Sequence, residues 1–439
     1  MMKNYLSIAV GIALGTAAVA QPCTTTRFAA DVFPNVTATT NIVYGSNVAY
    51  NGIVTSLTLD LYQPTGDVAA TRPLIIWAHG GSFVGGTSTD ADVDSLSHRF
   101  ARKGYVCASI NYRLGTASFD SVGLIPAVVR AVQDMKASIR YFYKDAATTN
   151  LYKIDTNNIF IGGSSAGSIT ALHTEYMKRT CEVNAWITPS ALVTLGGLDG
   201  YSGNQCYSTK VKGVIDLCGA LARYAYFEPG STPLCSMHGT SDATVPYSRG
   251  MVNPGIPIMN VDGSRMIYAQ SLVAGVQDNF YTWPLAPHVP YAGPSAKAVA
   301  YMDTTVNFVR DFLIGRMNVT CTPLQPANAA VGTATLYAFT NCTTTVTQSC
   351  LQSGIQNLTI NLFEDVYPNP SSNIVNVVFV NNNARYTVEL FDITGRLVKS
   401  DITSQPGYTL EKGNLVSGVY FLKVANQKGE ASVKKIVFN

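Results

Sequence analysis

The sequence predicts an α/β domain, a mostly parallel sheet flanked by helices, followed by a small all-β sandwich. Between residues 72 and 316, short apolar runs of strand character alternate with longer stretches whose apolar residues recur at helical spacing. From residue 365 to the end, strand-like runs are separated only by Asn, Gly and Ser clusters. The length of 439 residues, 47% of them hydrophobic, suits two or three domains, one of them large enough for a sizeable core.

Taken in order, residues 41–63 alternate apolar and polar around Asn51-Gly52 and read as two strands joined by a turn. "PLIIWAHG", "GYVCASINYR", "NIFIGGSS", "VKGVIDLCG" and "TPLCSMHG" are short runs of buried-strand character. Among them, "DVDSLSHRFARKG" is amphipathic and stops at Gly104, while "AVVRAVQDMKASIRYFYKDA" and "SITALHTEYMKR" have helical spacing. "YMDTTVNFVRDFLIG" closes the domain. Residues 317–364 are rich in Thr, Asn and Ala, with three cysteines, and read as a linker or a small disulfide-tied segment. Residues 365–439 hold the sandwich strands "NIVNVVFV", "YTVELFD", "GRLVKS", "GVYFLKV" and "SVKKIVFN".

The first 20 residues read as a signal peptide. Lys3 starts them, an apolar run follows, and Ala18-Val19-Ala20 is a small-x-small cleavage pattern. The run is too short and too interrupted by glycine for a membrane span, and no later stretch qualifies. The α/β domain is therefore placed at residues 21–316. Export permits disulfides. Of the nine cysteines, Cys107, Cys218 and Cys235 lie in strand-like apolar runs and read as buried thiols. Cys23, Cys181, Cys206, Cys321, Cys342 and Cys350 remain for pairing, with Cys181–Cys206 the best local match. A formal net charge of +3 with 13% charged residues and no basic cluster gives no reason to expect a nucleic-acid partner.

The stretch "FIGGSSAGSITALH", residues 160–173, contains Gly163-Ser164-Ser165-Ala166-Gly167, the pattern G-x-S-x-G between a strand run and a helix run. Such a turn holds its central residue strained so that the hydroxyl projects above the sheet edge, while bulky flanking residues would collide. Ser165 is the candidate nucleophile, and Ser164 is off register. A serine hydroxyl needs a base. Of the five histidines, His79 sits in a glycine turn, His98 lies on the first helix, and His238 ends a strand run. His173 is eight residues beyond Ser165 on one helix, about 12 Å away by helical rise. The order nucleophile, acid, histidine in hydrolases of this architecture selects His288, in the loop "WPLAPHVPY". The acid is Asp242, in "HGTSDATVPY" directly after a strand run, with Asp262 and Asp278 as rivals. An oxyanion needs N–H donors. Ala166, next after Ser165, offers one, and "HGGSF" after the first buried strand offers others.

In this order, "IIWAHGGSFVGG", "GYVCASINYRLG", "NIFIGGSSAGS" and "HGTSDATVPY" resemble the landmarks of the α/β-hydrolases, in the carboxylesterase and lipase group with an HGG motif. The resemblance spans roughly residues 40–315 and implies an oxyanion hole of Gly81, Ser82 and Ala166 N–H groups. Ser82 departs from the third glycine of many relatives. The wider group includes esterases acting on acetyl or feruloyl groups of plant polysaccharide. Residues 365–439, through "VYPNPSSNIVNVVF", "ELFDITGRLV" and "LVSGVYFLKV", resemble the type A sorting domain of the type IX secretion system. That resemblance implies the type IX machinery as a partner and the cell surface or medium as the destination.

The expected function is a secreted serine carboxylesterase working through an acyl-enzyme on a small-molecule or polysaccharide ester, with no cofactor and no metal. Two alternatives stand beside it. One is a serine peptidase on the same scaffold, which a panel of aryl esters against aryl amides would separate. The other is a non-catalytic surface-binding protein, which failure of a serine-directed phosphonate to label the chain would favour. Residues 116–122 and 185–207 are candidates to cover the site.

Overall fold

The computed structural model describes residues 26–183, 185–317, 362–381, 384–427 and 431–439. The signal-peptide and linker expectations, with Cys23, Cys321, Cys342 and Cys350, lie outside these residues. The chain divides into two compact units, with the division at residues 350 and 351.

The first unit is built on eight strands: β1 (Val36–Val48), β2 (Val54–Pro64), β3 (Arg72–Ala78), β4 (Val106–Ile110), β5 (Ile154–Ser164), β6 (Gly213–Leu217), β8 (Leu234–Gly239) and β11 (Asp278–Trp283). Their order is β1-β2-β4-β3-β5-β6-β8-β11. From β4 onward every neighbouring pair is parallel, and β2 runs antiparallel to both β1 and β4. This is the α/β-hydrolase sheet that the motif order predicts. Central strands β3, β4 and β6 are buried at every residue, which explains their unbroken apolar runs. A small second sheet joins β7 (Ala220–Leu221), β9 (Arg249–Met251) and β10 (Asn260–Gly263) in the order β7-β10-β9.

Among the described residues six α-helices complete the unit: α1 (Ala91–Arg102), α2 (Ser121–Ala147), α3 (Ala166–Tyr176), α4 (Pro189–Thr194), α5 (Ser264–Ala274) and α6 (Ala296–Arg316). They split into two layers with separate cores. Leu96 and Phe100 of α1 and Phe308 and Phe312 of α6 pack with Trp77 and Phe160 on one face. Val132 and Phe142 of α2, Leu172 of α3 and Ile267 of α5 pack with Ile76 and Ile161 on the other. The α2 helix begins earlier than its periodicity suggests because Asp120 caps it, accepting from Gly123 N at 2.9 Å.

Two cysteine expectations have different outcomes. Cys107, Cys218 and Cys235 are buried thiols. Cys206 is not joined to Cys181. The segment before Cys206 docks on β1 instead: Ser46 N donates to Ser202 O at 3.0 Å and Asn204 Nδ2 to Tyr44 O at 2.8 Å. Among the described residues no helix is long and apolar enough to cross a membrane.

The second unit is two antiparallel sheets around one core. One is β12 (Phe363–Tyr367), β13 (Ile374–Phe379) and β16 (Gly407–Glu411). The other is β15 (Leu397–Thr403), β14 (Tyr386–Asp392), β17 (Gly418–Asn426) and β18 (Ala431–Phe438). Phe379 stacks on Tyr386 at 4.2 Å, and alternate residues of β14 and β17 point inward, as a sandwich requires. The β14–β15 turn is organised by Asp392. It accepts from Thr394 Oγ1 at 2.6 Å, Thr394 N at 2.9 Å and Arg396 Nε at 3.0 Å. These bonds, the Thr394 hydroxyl foremost, hold its carboxyl down at about 2.

Candidate active site

The turn between β5 and α3 places Ser165 at φ 55°, ψ −118°, outside the regions ordinary residues occupy. Close packing forces the strain. A Cβ built at Gly167 would overlap the Ala78 and His79 carbonyl oxygens, and one at Gly163 would overlap Ala78 O and Gly167. The helix can begin directly against the end of β3 only because both positions are glycine. Ser164 and Ser165 face different neighbours. Ser164 is fully buried, its Oγ 2.8 Å from Tyr291 Oη. The Ser165 Oγ stands 2.8 Å from His288 Nε2.

Across the ring, His288 Nδ1 lies 2.6 Å from Asp242 Oδ2. The loops bearing these residues follow the adjacent parallel strands β8 and β11 and are sewn together. Thr240 N donates to Trp283 O at 3.0 Å, Ser241 N to Ala286 O at 3.1 Å, and Leu285 N to Thr240 Oγ1 at 2.8 Å. Asp242 Oδ1 accepts from Thr244 N and Val245 N, both at 2.9 Å. Burial pushes the Asp242 carboxyl up, but hydrogen bonds from His238 and His288 outweigh it and hold the group well below the usual carboxylate range. Its charge therefore stabilises the fold above the ordinary carboxyl pKa of about 4, and that contribution is lost as pH falls through the depressed value.

A second layer of polar groups lies behind Asp242, and sequence reasoning missed it. His238 Nε2 lies 3.2 Å from Asp242 Oδ2 and 3.1 Å from Val245 O, with its Nδ1 2.7 Å from Ser264 Oγ. Ser264 Oγ donates to Asp216 Oδ2 at 2.6 Å, and Ser168 Oγ of α3 donates to Asp216 Oδ1 at 2.6 Å. All of these residues but Asp242 are buried, so a closed polar chain runs from Asp242 back to α3, the helix that follows Ser165. The signal available in the sequence was the four-residue spacing of His238 and Asp242 across a tight Gly-Thr turn.

The 79–83 turn lies beside Ser165. Gly81, Ser82 and Phe83 all have positive φ, at 101°, 55° and 64°. His79 is fully buried beneath them. Its Nδ1 lies 2.7 Å from Gly80 O and its ring stacks 4.5 Å from Tyr112. Burial lowers the pKa of this ring. It is a strut for the turn and does not approach Ser165 by any hydrogen bond.

Residues 59–252 match the BD-FAE family model, and residues 365–439 match that of the secretion system C-terminal sorting domain. Residues 59–252 are a BD-FAE domain. Carboxylesterase 3B of Mus musculus is 35% identical over 116 residues, covering 26% of this chain and 19% of that protein. Carboxylesterase 3 of Pongo abelii is 31% identical over 151 residues, covering 32% and 24%. The chain thus spans only about a fifth to a quarter of the length of these curated relatives. Among solved structures, a thermophilic esterase from the Planctomycetes species Thermogutta terrifontis, bound to propionate, aligns over 64% of this chain and 94% of its own. Its TM-score is 0.47 and its sequence identity 20%.

Within and beside the BD-FAE domain the remaining candidates fall away from Ser165. His98 stays on α1, its Nδ1 3.1 Å from Asp94 O. Asp262 is committed to Arg249, at 2.6 and 2.9 Å, and to Tyr224 N. Asp278 starts β11, opposite Leu234, and so sits at the far end of the sheet from the loop bearing Asp242. Burial, and then the charge of Asp216, push its carboxyl well above the ordinary value.

A cavity of about 100 Å³ opens from Ser165, Ala166 and Ser82 and runs between α2, α3 and the 244–261 segment of the BD-FAE domain and its flank. Of the segments expected to cover the site, Trp186 contributes to its wall. His173 lines it as a fully engaged group: Nδ1 is 2.8 Å from Ile169 O and Nε2 accepts from Ala222 N at 3.1 Å. Burial lowers its pKa from 6.5 to about 4. The folded value lies below the unfolded one, so the neutral ring contributes fully above pH 6.5, and the contribution is lost as pH falls towards 4. The gap corresponds to about 3 kcal/mol. Urea unfolding at pH 7 and pH 4.5 is expected to show this loss, and His173→Gln should flatten it. An equal pH dependence in both proteins would exclude His173 as its source.

Proposed function

We propose that the chain is a secreted serine carboxylesterase that cleaves carboxylic esters through an acyl-enzyme. The observation that carries this is the unbroken contact line Ser165 Oγ, His288 Nε2, His288 Nδ1, Asp242 Oδ2, at 2.8 and 2.6 Å, on a strained strand-to-helix turn. In this reading Ser165 Oγ attacks the ester carbonyl carbon while His288 Nε2 takes its proton. Asp242 fixes the ring with Nδ1–H directed at the carboxylate and stabilises the imidazolium. The charge on the carbonyl oxygen is met by the N–H groups of Gly81, Ser82 and Ala166 and by the N-terminal end of α3. Collapse of the tetrahedral adduct breaks the bond to the alcohol oxygen, which receives the proton from His288. Water, deprotonated by the same ring, then attacks the acyl carbon and frees Ser165. No step calls for a metal or an organic cofactor.

The sorting domain implies export through the type IX machinery to the cell surface or medium. The first 20 residues, read as a signal peptide, would supply the earlier crossing. Acetyl and feruloyl esters of polysaccharide remain within the substrate classes of the wider group.

The test is a matched pair of p-nitrophenyl esters and p-nitroanilides with the full chain. Ester turnover with anilide turnover lower by orders of magnitude is expected. Comparable anilide cleavage would favour the peptidase reading. No turnover, together with no phosphonate labelling of Ser165, would leave the non-catalytic one.

A further inference from the structure

Resting on the esterase reading, we propose that His238 is a positioning residue for the reaction: its Nε2–H holds Asp242 Oδ2 in place for His288 Nδ1 and takes up part of the charge that the carboxylate presents to that ring. The same oxygen, Oδ2, lies 2.6 Å from His288 Nδ1 and 3.2 Å from His238 Nε2. Oδ1 is occupied separately, by Thr244 N and Val245 N. Each carboxylate oxygen thus has two donors, and on Oδ2 both donors are histidines. The side chains of His238 and Asp242 are wholly buried, whereas that of His288 is 19% exposed. His238 therefore acts through Asp242 and not on the ester.

The orientation of the His238 ring follows from what surrounds it. Nε2 also faces Val245 O at 3.1 Å. A carbonyl oxygen only accepts, so Nε2 carries a hydrogen and shares it between Val245 O and Asp242 Oδ2. At the other edge, Nδ1 lies 2.7 Å from Ser264 Oγ at the start of α5, and that hydroxyl donates to Asp216 Oδ2 of β6 at 2.6 Å. Asp216 Oδ1 in turn accepts from Ser168 Oγ of α3 and from Gly219 N. The Tyr247 ring stands edge-on to His238 at 5.8 Å, and Thr282 pairs opposite it on β11. The ring is thus held from β6, α5 and the 245–247 turn, with its N–H aimed at Asp242. Burial pushes the Asp242 carboxyl up, and of the bonds that outweigh burial the one from His238 stands first, ahead of that from His288.

Removing this N–H has an effect of known sign. Asp242 would present its whole charge to His288, the imidazolium would be held more firmly, and the base would become free only at higher pH. A loss of structure alone would lower the rate without moving the acid limb of the pH profile. Two amides separate the edges of the ring. In His238→Gln the side-chain amide reaches as far as Nε2 and can still donate to Asp242. In His238→Asn it reaches only as far as Nδ1, so the bond to Ser264 can survive and the one to Asp242 cannot.

The experiment measures kcat/KM for p-nitrophenyl acetate and the rate of phosphonate labelling, on the full chain, across about pH 5 to 8. His238→Asn is expected to lower kcat/KM about tenfold to a hundredfold and to move the acid limb of both profiles up by roughly half to one pH unit. His238→Gln is expected to rescue the wild-type limb and most of the lost rate. Should His238→Asn fail to fold, Ser264→Ala carries the same test, since it releases the ring at Nδ1, and it is expected to move the limb in the same direction. A folded His238→Asn or Ser264→Ala with the wild-type limb, or a His238→Gln that behaves as His238→Asn does, would overturn the proposal while leaving the esterase reading intact. Absence of both ester turnover and labelling in the wild-type chain would remove the esterase reading itself.

Discussion

Ser165→Ala is expected to lower kcat on p-nitrophenyl esters by about five to six orders of magnitude and to abolish covalent labelling by a phosphonate, with the protein still folded. The change is small in volume, and Ala can be held at the turn by the same Gly163 and Gly167 contacts, so loss of activity would not be loss of structure. The residual rate should still exceed that of water by about 10³–10⁴ because the N–H donors remain. Activity retained within tenfold of wild type would assign the chemistry elsewhere, and Ser164 could not take it over while buried against Tyr291.

The largest expected effect on stability lies away from the reacting groups. Asp134→Ala should destabilise the first unit by about 3–5 kcal/mol. Asp134 is completely buried and meets Arg113 Nε at 2.9 and 3.0 Å, Arg113 N at 2.8 Å and Ser202 Oγ at 2.6 Å. The same guanidinium reaches Val48 O at 2.8 Å and Gln133 Oε1 at 2.9 Å, so β1, α2 and the 195–204 loop meet on one cation. Without the carboxylate that cation is buried and uncompensated. A double replacement, Arg113→Met with Asp134→Leu, should recover most of the loss, because the desolvation penalty of both charges disappears with them. Urea denaturation of the three proteins is the measurement. A single-variant loss under about 1 kcal/mol, or a double variant no better than the single, would exclude an essential buried pair. The network also reaches the candidate site: Gly115 N, two residues beyond Arg113, donates to Phe83 O at 2.8 Å, and Phe83 ends the turn beside Ser165. Asp134→Ala is therefore expected to lower kcat as well as the unfolding midpoint.

The legible parts of this molecule are those whose physics is local. Unbroken apolar runs mark strands buried on both faces, and they located β3, β4, β6 and β8. The hairpin at Asn51-Gly52 is equally local: Gly52 lies at φ 82°, in the turn joining β1 to β2. The edge strand β11, "DNFYTW", is only partly buried and carries polar residues, so it has no such run. The short β7, β9 and β10 exist only because the 244–263 segment folds back over the sheet end, and β16 pairs only with β13. Chain order sufficed to bring Ser165, Asp242 and His288 forward as a set, since parallel strands deliver their following loops to one edge. His238, Ser264 and Asp216 had no comparable handle. Their relation is a chain of hydrogen bonds across three elements, and nothing in a linear pattern encodes which buried polar residue answers which.

The neighbouring hydroxyls of Ser164 and Ser165 grip one loop at two points, through Tyr291 and through His288. A strand alternates sides with each residue, so inserting or deleting a single amino acid before Gly163 would exchange tether for reactant in one step. Length variation is thereby barred from this stretch. Side chains can change without disturbing the count in the α2 wall and in the 244–261 segment, which line the cavity beside Ser165.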